Sequence, residues 1–129
     1  MTTELWLLFL SLPLYGLYLG AQSLIFRWQH GLMYAASGRD EDKPPGELLG
    51  RADRALKNFQ ETWLVFVILV LIGHLAMPGD PLIWWGALIW FAARIVYLPL
   101  YLAGTFLIRS LVWNVSLIGL AVMVCGVLF

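Results

Sequence analysis

The residues of this sequence that are best suited to chemistry form a polar stripe directly before an apolar run. Arg54, Asn58 and Glu61 are spaced four and three residues apart, so an α-helix places them on one face. Arg51 stands one turn earlier on nearly the same side. Guanidinium groups bind carboxylates through two parallel hydrogen bonds, and a glutamate can hold an ammonium group. The stripe therefore suits a small zwitterion that carries more than one carboxylate.

A second polar stripe stands later in the chain, inside an otherwise apolar segment. Arg94, Tyr97 and Tyr101 follow spacings of three and four residues, which again places them on one helical face. The sequence MPGD at 77–80 predicts a tight turn between the two stripes. Glu61 and Arg94 lie at similar distances from this turn, so an antiparallel hairpin predicts that they pair. Tyr97 is expected at the level of Glu61.

The facing stripes predict a cationic cavity at one membrane surface. Tyr101 is expected at the level of Lys57 and Asn58. Charged groups inside a bilayer cost about 2.5 kcal/mol or more each and normally face a partner or a water-filled cavity. The cations expected to gather in this cavity are Arg51, Arg54, Lys57 and Arg109.

Structural explanations remain open for the same residues. Glu47 and Arg51 have the i,i+4 spacing of ion pairs that support a helix. Basic residues beside a membrane also act as topology signals and contact lipid headgroups. An ion pair between Glu61 and Arg94 that only locks two helices together is a further alternative.

The composition indicates the elements that must position these side chains. The chain has 129 residues, of which 61% are hydrophobic and 12% charged. Soluble domains are nearer half apolar and a quarter charged, so this composition predicts a membrane protein. The formal net charge of zero gives no indication of a nucleic-acid partner. A single cysteine, Cys125, excludes a disulfide within the chain. No metal site is expected, because neither His30 nor His74 has a second ligand at metal spacing.

Four apolar segments are long enough to cross a bilayer, which takes about 20 residues. They are residues 5–26, 62–77, 81–104 and 110–129. The second segment needs part of the preceding charged helix to cross fully. The first has no positive n-region and is longer than a usual h-region, so we expect a retained helix rather than a cleaved signal peptide. The pattern predicts an all-α membrane protein, a bundle of four transmembrane helices in one domain over residues 1–129.

The connections and the basic residues predict the orientation. A polar loop is expected at 37–50, and the link between the third and fourth spans is short. Lysines and arginines are concentrated in or beside the first and third connections, whereas the MPGD turn and both termini have none. The positive-inside rule therefore predicts that the first loop is cytoplasmic and that both termini are outside. The compact loops suit a bacterial inner membrane.

Two further features concern the helices themselves. Gly16 and Gly20 form a GxxxG pattern in the first span, which predicts close approach of another helix. Pro99 interrupts the backbone hydrogen bonds of the third span, so we expect a kink that frees a carbonyl near Ile95.

The polar stripe resembles the signature of the MAPEG family, the membrane-associated proteins in eicosanoid and glutathione metabolism. The pattern RxxRAxxNxxE runs from Arg51 to Glu61. The third span carries ARxxYxxxY from Ala93 to Tyr101, and an RS pair at 109–110 opens the fourth. The resemblance covers nearly the whole chain and is similar to a bacterial-type member. This sequence departs from some relatives at Lys57, where they have arginine, and at Trp113, where they have tyrosine.

The resemblance implies a homotrimer that binds glutathione between neighbouring protomers near the cytoplasmic face. It implies that Arg109 stabilises the glutathione thiolate and that Tyr101 belongs to the same catalytic site. It also implies a transferase or peroxidase in which that thiolate attacks a lipophilic electrophile entering from the bilayer. A non-catalytic lipid-binding or scaffold protein of the same fold is the alternative. The residues that the resemblance assigns to glutathione binding are Arg51, Arg54, Asn58, Glu61, Arg94 and Tyr97.

Overall fold

The fold consists of helices. The computed structural model describes residues 1–38 and 46–129, and this part of the chain contains no strand. Four of its five helices are long and apolar enough to cross a membrane, which confirms the four predicted spans. The helices are α1 (Thr3–His30), α2 (Leu32–Ala36), α3 (Gly46–Ala76), α4 (Pro81–Ala103) and α5 (Leu107–Leu128).

The helix bounds differ from the sequence prediction mainly at the first connection. α3 begins at Gly46, so the loop predicted at 37–50 is wrong for its last five residues. Proline disfavours a helix before it but is tolerated at a helix start, so the Pro-Pro pair in the sequence is compatible with a helix that begins at Gly46. The short helix α2 was not predicted. Residues 39–45, which include the basic residues Arg39 and Lys43, lie outside the described residues.

The turn between α3 and α4 is fixed by local chemistry. Gly79 adopts a positive φ of 81°, which favours glycine. The side chain of Asp80 accepts a hydrogen bond from the backbone N–H of Leu82 at 2.7 Å and caps α4. Pro81 occupies the first turn, where its missing N–H costs nothing. The predicted hairpin is therefore confirmed, and Ile83 of α4 packs on Gly73 of α3.

The four long helices alternate in direction. α1 and α3 are antiparallel, because Glu4 at the start of α1 lies 3.4 Å from the Nδ1 atom of His74 at the end of α3. Farther along, the indole N–H of Trp63 donates to Ser11 at 3.0 Å. The alternation brings the start of α3, the end of α4 and the start of α5 to one end of the bundle. We call this the basic end, and it contains Arg27, Arg51, Arg54, Lys57 and Arg109.

Glycines allow α4 and α5 to pack closely. A Cβ atom at Gly86 would lie 2.6 Å from the carbonyl oxygen of Gly119 and 2.8 Å from the backbone nitrogen of Met123. Neither distance is possible without a shift of backbone. In contrast, a Cβ atom at Gly16 or Gly20 would meet nothing within 4 Å. The described residues therefore leave the GxxxG face, which was predicted to accept another helix, uncovered, and the close contact between α4 and α5 uses other glycines.

Gly86→Ala is expected to destabilise the protein. The added methyl group forces α4 away from α5, and overpacking of this kind costs about 1–3 kcal/mol. Thermal unfolding in detergent should show a lower midpoint for the variant. Gly16→Ala is the matched control, because it adds the same atom on an uncovered helical face and gains helix propensity. Equal midpoints for the two variants would contradict the close α4–α5 contact.

Candidate functional site

The polar stripe of α3 lies at the edge of its buried face. The buried positions of this helix include Ala55, Phe59 and Thr62. Arg54 and Glu61 each precede a buried position by one residue, and one residue corresponds to about 100° of rotation around a helix. The stripe therefore borders the packed interior without being part of it. Its side chains remain accessible to a ligand while their backbone is held by the core.

A pocket opens beside this stripe at the basic end. It has a volume of about 180 Å³ and lies between the first half of α3, the end of α4 and the start of α5. Most of the predicted site residues lie on its wall, so the structure brings the two stripes together as predicted. We call it the polar pocket, and its lining residues are Arg54, Asn58, Tyr97, Tyr101, Arg109, Ser110 and Trp113.

The polar pocket is cationic. The Nε atom of Arg54 donates to the hydroxyl of Tyr101 at 3.2 Å, which leaves its terminal N–H groups for other acceptors. The Arg109 guanidinium lies over the ring of Tyr101, with 4.6 Å between its Cζ atom and the ring centroid. The ring of Phe106 lies 5.6 Å away from the same atom. Because no carboxylate of residues 1–38 or 46–129 lines the pocket, its two guanidinium groups favour an anion.

Two residues of the pocket wall were not predicted as site residues. Ser110 directly follows Arg109, and Trp113 stands four residues after Arg109 on the same helical face. The indole N–H of Trp113 is buried and has no hydrogen-bond partner among the described residues. The i,i+4 spacing from Arg109 was the signal in the sequence that would have included this residue.

Arg94 lies behind the pocket wall rather than in it. Its side chain is fully buried, and its two terminal nitrogens donate to Asn58 Oδ1 at 2.6 Å and to Thr62 Oγ1 at 2.9 Å. The hydroxyl of Tyr18 in α1 donates to the backbone carbonyl of Arg94 at 2.7 Å. These bonds join α1, α3 and α4 at one point.

The predicted ion pair between Glu61 and Arg94 is wrong. Within the described part of the chain, no hydrogen bond or ion pair joins them, and Glu61 is exposed. The prediction that Glu61 and Arg94 lie at similar distances from the turn was nearly correct, because Arg94 bonds to Thr62, the residue directly after Glu61. The rotation of α3 decided the outcome: packing of Phe59 and Phe66 turns Thr62 toward α4 and Glu61 away from it.

Arg51 acts on the end of α4. Its guanidinium donates to the backbone carbonyl of Leu102 at 3.3 Å and forms an ion pair with Glu47. Cations near a helix C-terminus satisfy its free carbonyls and its dipole. Gly104 follows with a φ of 78°, and a Cβ atom there would lie 2.8 Å from the Arg51 Cζ atom. Arg51 thus contacts the C-terminal end of α4 and is not one of the residues that line the pocket.

The remaining predicted features fall outside the pocket. Lys57 is exposed on α3 and does not line the pocket. Residues 1–38 and 46–129 contain no group of three or more His, Cys, Asp or Glu residues that could hold a metal ion. The chemistry of the site is therefore that of guanidinium, amide, hydroxyl and indole donors.

Fold and site together define a helical membrane protein with a donor-rich pocket at one end of four spans. The MAPEG family model matches residues 5–129, so the chain belongs to the MAPEG family, as the sequence resemblance indicated. Family membership and the four spans make it an integral membrane protein. Many members of this family are glutathione-dependent transferases or peroxidases. A comparison with curated proteins and one with solved structures gave no match.

Proposed function

We propose that the polar pocket binds glutathione and activates its thiol for attack on a lipophilic electrophile. The observation that carries the proposal is the pair of guanidinium groups, Arg54 and Arg109, on a pocket wall to which the described residues contribute no carboxylate. Glutathione brings two carboxylates, an amine and a thiol, and its carboxylates match the free donors of Arg54. Family membership supports the same ligand.

Arg109 is proposed to stabilise the thiolate of bound glutathione. A free thiol has a pKa of about 8.5 and is a weak nucleophile until a nearby cation lowers that value. Arg109 stands in the first turn of α5, where the helix dipole is also positive. A cation there is unfavourable for the helix alone, and a bound anion removes that cost. Tyr101, which contacts both arginines, holds the two cations at the pocket.

The reaction step is a transfer of the sulfur electron pair. The thiol proton leaves to water, and the thiolate forms a bond between sulfur and an electrophilic carbon of the lipophile. The electron pair displaced from that carbon departs with a leaving group or is protonated by water. The terminal oxygen of a hydroperoxide is the alternative target: sulfur bonds to this oxygen as the O–O bond breaks, and the released alkoxide takes a proton from water to give the alcohol. A second glutathione then reacts with the resulting sulfenic acid to give glutathione disulfide and water, which is a peroxidase reaction.

A homotrimer is proposed to complete the site. The pocket of one protomer has about 180 Å³, whereas binding sites for small molecules occupy about 300–1,000 Å³. Glu61 is exposed on a membrane-spanning helix, and a charge at the bilayer centre costs about 2.5–3.5 kcal/mol when it is uncovered. A neighbouring protomer that covers Glu61 would enlarge the site and would let this carboxylate hold the glutathione amine.

The basic end is proposed to face the cytoplasm, with both termini on the other side. The clustered arginines and lysines follow the positive-inside rule. The cytosol also maintains a glutathione pool, so this orientation gives the pocket its ligand. We propose a bacterial inner membrane as the location.

A non-catalytic lipid-binding protein is the second candidate. A groove of about 410 Å³ between α1 and α3 favours it, because its lining is almost wholly apolar. The groove suits an acyl chain, and it lies in the half of the bundle opposite to the basic end. Its lining residues are Met1, Leu5, Leu8, Phe9, Leu12, Trp63 and Val67.

Glutathione binding to the purified protein in detergent tests the proposal. Calorimetry measures the affinity, and ultraviolet difference absorbance detects the thiolate. Saturable binding with a thiolate signal is the expected result. Binding without thiolate would contradict the catalytic role and leave a glutathione-binding protein. No binding at millimolar glutathione would overturn the proposal and favour the lipid-binding alternative.

Trp113→Phe is expected to weaken thiolate formation more than glutathione binding. Trp113 lines the polar pocket, and its buried indole N–H has no partner among the described residues, so we propose that it donates to the thiolate; loss of one donor to an anion costs about 1.5–3 kcal/mol. Phenylalanine keeps the aromatic packing and removes only the donor. The measurement is a titration of thiolate absorbance against pH, which should move to higher pH in the variant. Trp85→Phe, on the exposed surface of α4, is the control, and equal curves for both variants would contradict the assignment.

A further inference from the structure

The assignment of the Asn58 amide follows from its contact with Arg94. A guanidinium has donors and no acceptor, so the Asn58 atom that lies 2.6 Å from Arg94 is the oxygen. The amide nitrogen then points to the opposite side. Asn58 also lines the polar pocket, so its NH₂ group, which Arg94 does not engage, is the part of the amide that remains for a ligand.

Both terminal nitrogens of Arg94 are engaged, while its buried Nε atom has no hydrogen-bond partner among the described residues. One terminal nitrogen bonds to Asn58 and the other to Thr62, while Tyr18 fixes the backbone carbonyl of the same residue. The guanidinium also lies over the ring of Tyr97, with 5.0 Å between its Cζ atom and the ring centroid. No carboxylate of the described residues forms an ion pair with this buried arginine, so its hydrogen bonds to Asn58 and Thr62 help to offset the cost of burying the charge.

We propose that Arg94 is a positioning residue that turns the Asn58 amide so that only its NH₂ group faces the polar pocket. The pocket then offers several donors to an anion: guanidinium groups from Arg54 and Arg109 and the amide of Asn58. An amide turned the other way would present its oxygen and repel a carboxylate or thiolate. This inference rests on the proposed function, since glutathione is the probe used to test it.

A double-mutant cycle separates this role from direct contact with the ligand. Arg94→Met should weaken glutathione binding about tenfold when Asn58 is present, because the amide can then turn its oxygen to the ligand. In an Asn58→Ala background the same change should alter affinity by less than about threefold. A similar loss in both backgrounds would overturn the inference in favour of direct contact. Lys57→Ala is the control, since Lys57 is exposed on the same helix, does not line the pocket and should change affinity by less than about threefold.

Asn58→Asp provides a measurement that does not depend on glutathione. The aspartate keeps an oxygen toward Arg94 and supplies the missing countercharge, so the unfolding midpoint should rise by about 3–6 °C. In an Arg94→Met background the same substitution should lower the midpoint. A fall of equal size in both backgrounds would overturn the contact between Arg94 and residue 58 on which the amide orientation depends. If the wild-type protein binds no glutathione, the proposed function fails, and this melting cycle still tests that contact.

Discussion

Replacing Arg54 by alanine is expected to lower glutathione affinity by about 30-fold or more. Arg54 is the residue of the polar pocket whose terminal N–H groups are free while its Nε atom is fixed by Tyr101. A guanidinium that is already held in place by a hydrogen bond loses little side-chain entropy when it binds a carboxylate. Loss of one partner of a hydrogen-bonded charge pair costs about 2–5 kcal/mol, and the exposure of Arg54 puts the expected effect at the lower end.

The control for Arg54 is its neighbour on the same helix. Lys57→Ala removes one positive charge from the same surface, but Lys57 does not line the pocket. We expect less than about a threefold change for this variant, because an exposed charge contributes little at physiological salt. Arg54→Lys should keep the charge and lose the two-pronged geometry, with an intermediate affinity. Equal losses for Arg54→Ala and Lys57→Ala would show that general electrostatics, rather than this pocket, binds the ligand.

Arg109→Ala is expected to retain most glutathione binding and to lose the thiolate signal. The substitution removes the cation that stands over Tyr101, so the pKa of the bound thiol should return toward about 8.5. In the wild-type protein the lowered pKa of the bound thiol means that the thiolate is present at neutral pH. In the variant the thiolate should form only at higher pH. The rate of attack at neutral pH should fall about 10²–10³-fold, as for loss of an electrostatic stabiliser.

The measurement for Arg109 is a pair of titrations on the same protein. Calorimetry gives the affinity for glutathione, and difference absorbance against pH gives the thiol pKa in the complex. Arg109→Lys should preserve part of the thiolate signal, because a cation remains near the sulfur. An unchanged thiolate titration in Arg109→Ala would assign thiol activation to other donors of the pocket. A total loss of binding would make Arg109 a binding residue instead.

The sequence by itself determined the helices and the content of the site. Long apolar segments cannot expose backbone polar groups to lipid, so four spans follow from composition and length. The MPGD turn follows from Asp80 and Pro81, whose preferences are local. The spacing of Arg54 and Asn58, and of Tyr97 and Tyr101, identified most of the pocket wall, because 3.6 residues per turn relates sequence directly to helical face.

Only the tertiary structure decided how those faces meet. The pairing of Arg94 depended on the rotation of α3, which is set by aromatic packing of Phe59 and Phe66 against Trp90. If α3 is rotated about its axis by one residue, about 100°, Thr62 faces Arg94 in place of Glu61. The spacing of residues in the sequence cannot distinguish these two rotations. Arg51 likewise has the pattern of a site residue, but its side chain reaches the end of α4. A long side chain can reach several possible partners, and the partner that it contacts depends on the distances between helices. Helical periodicity gives no information on those distances.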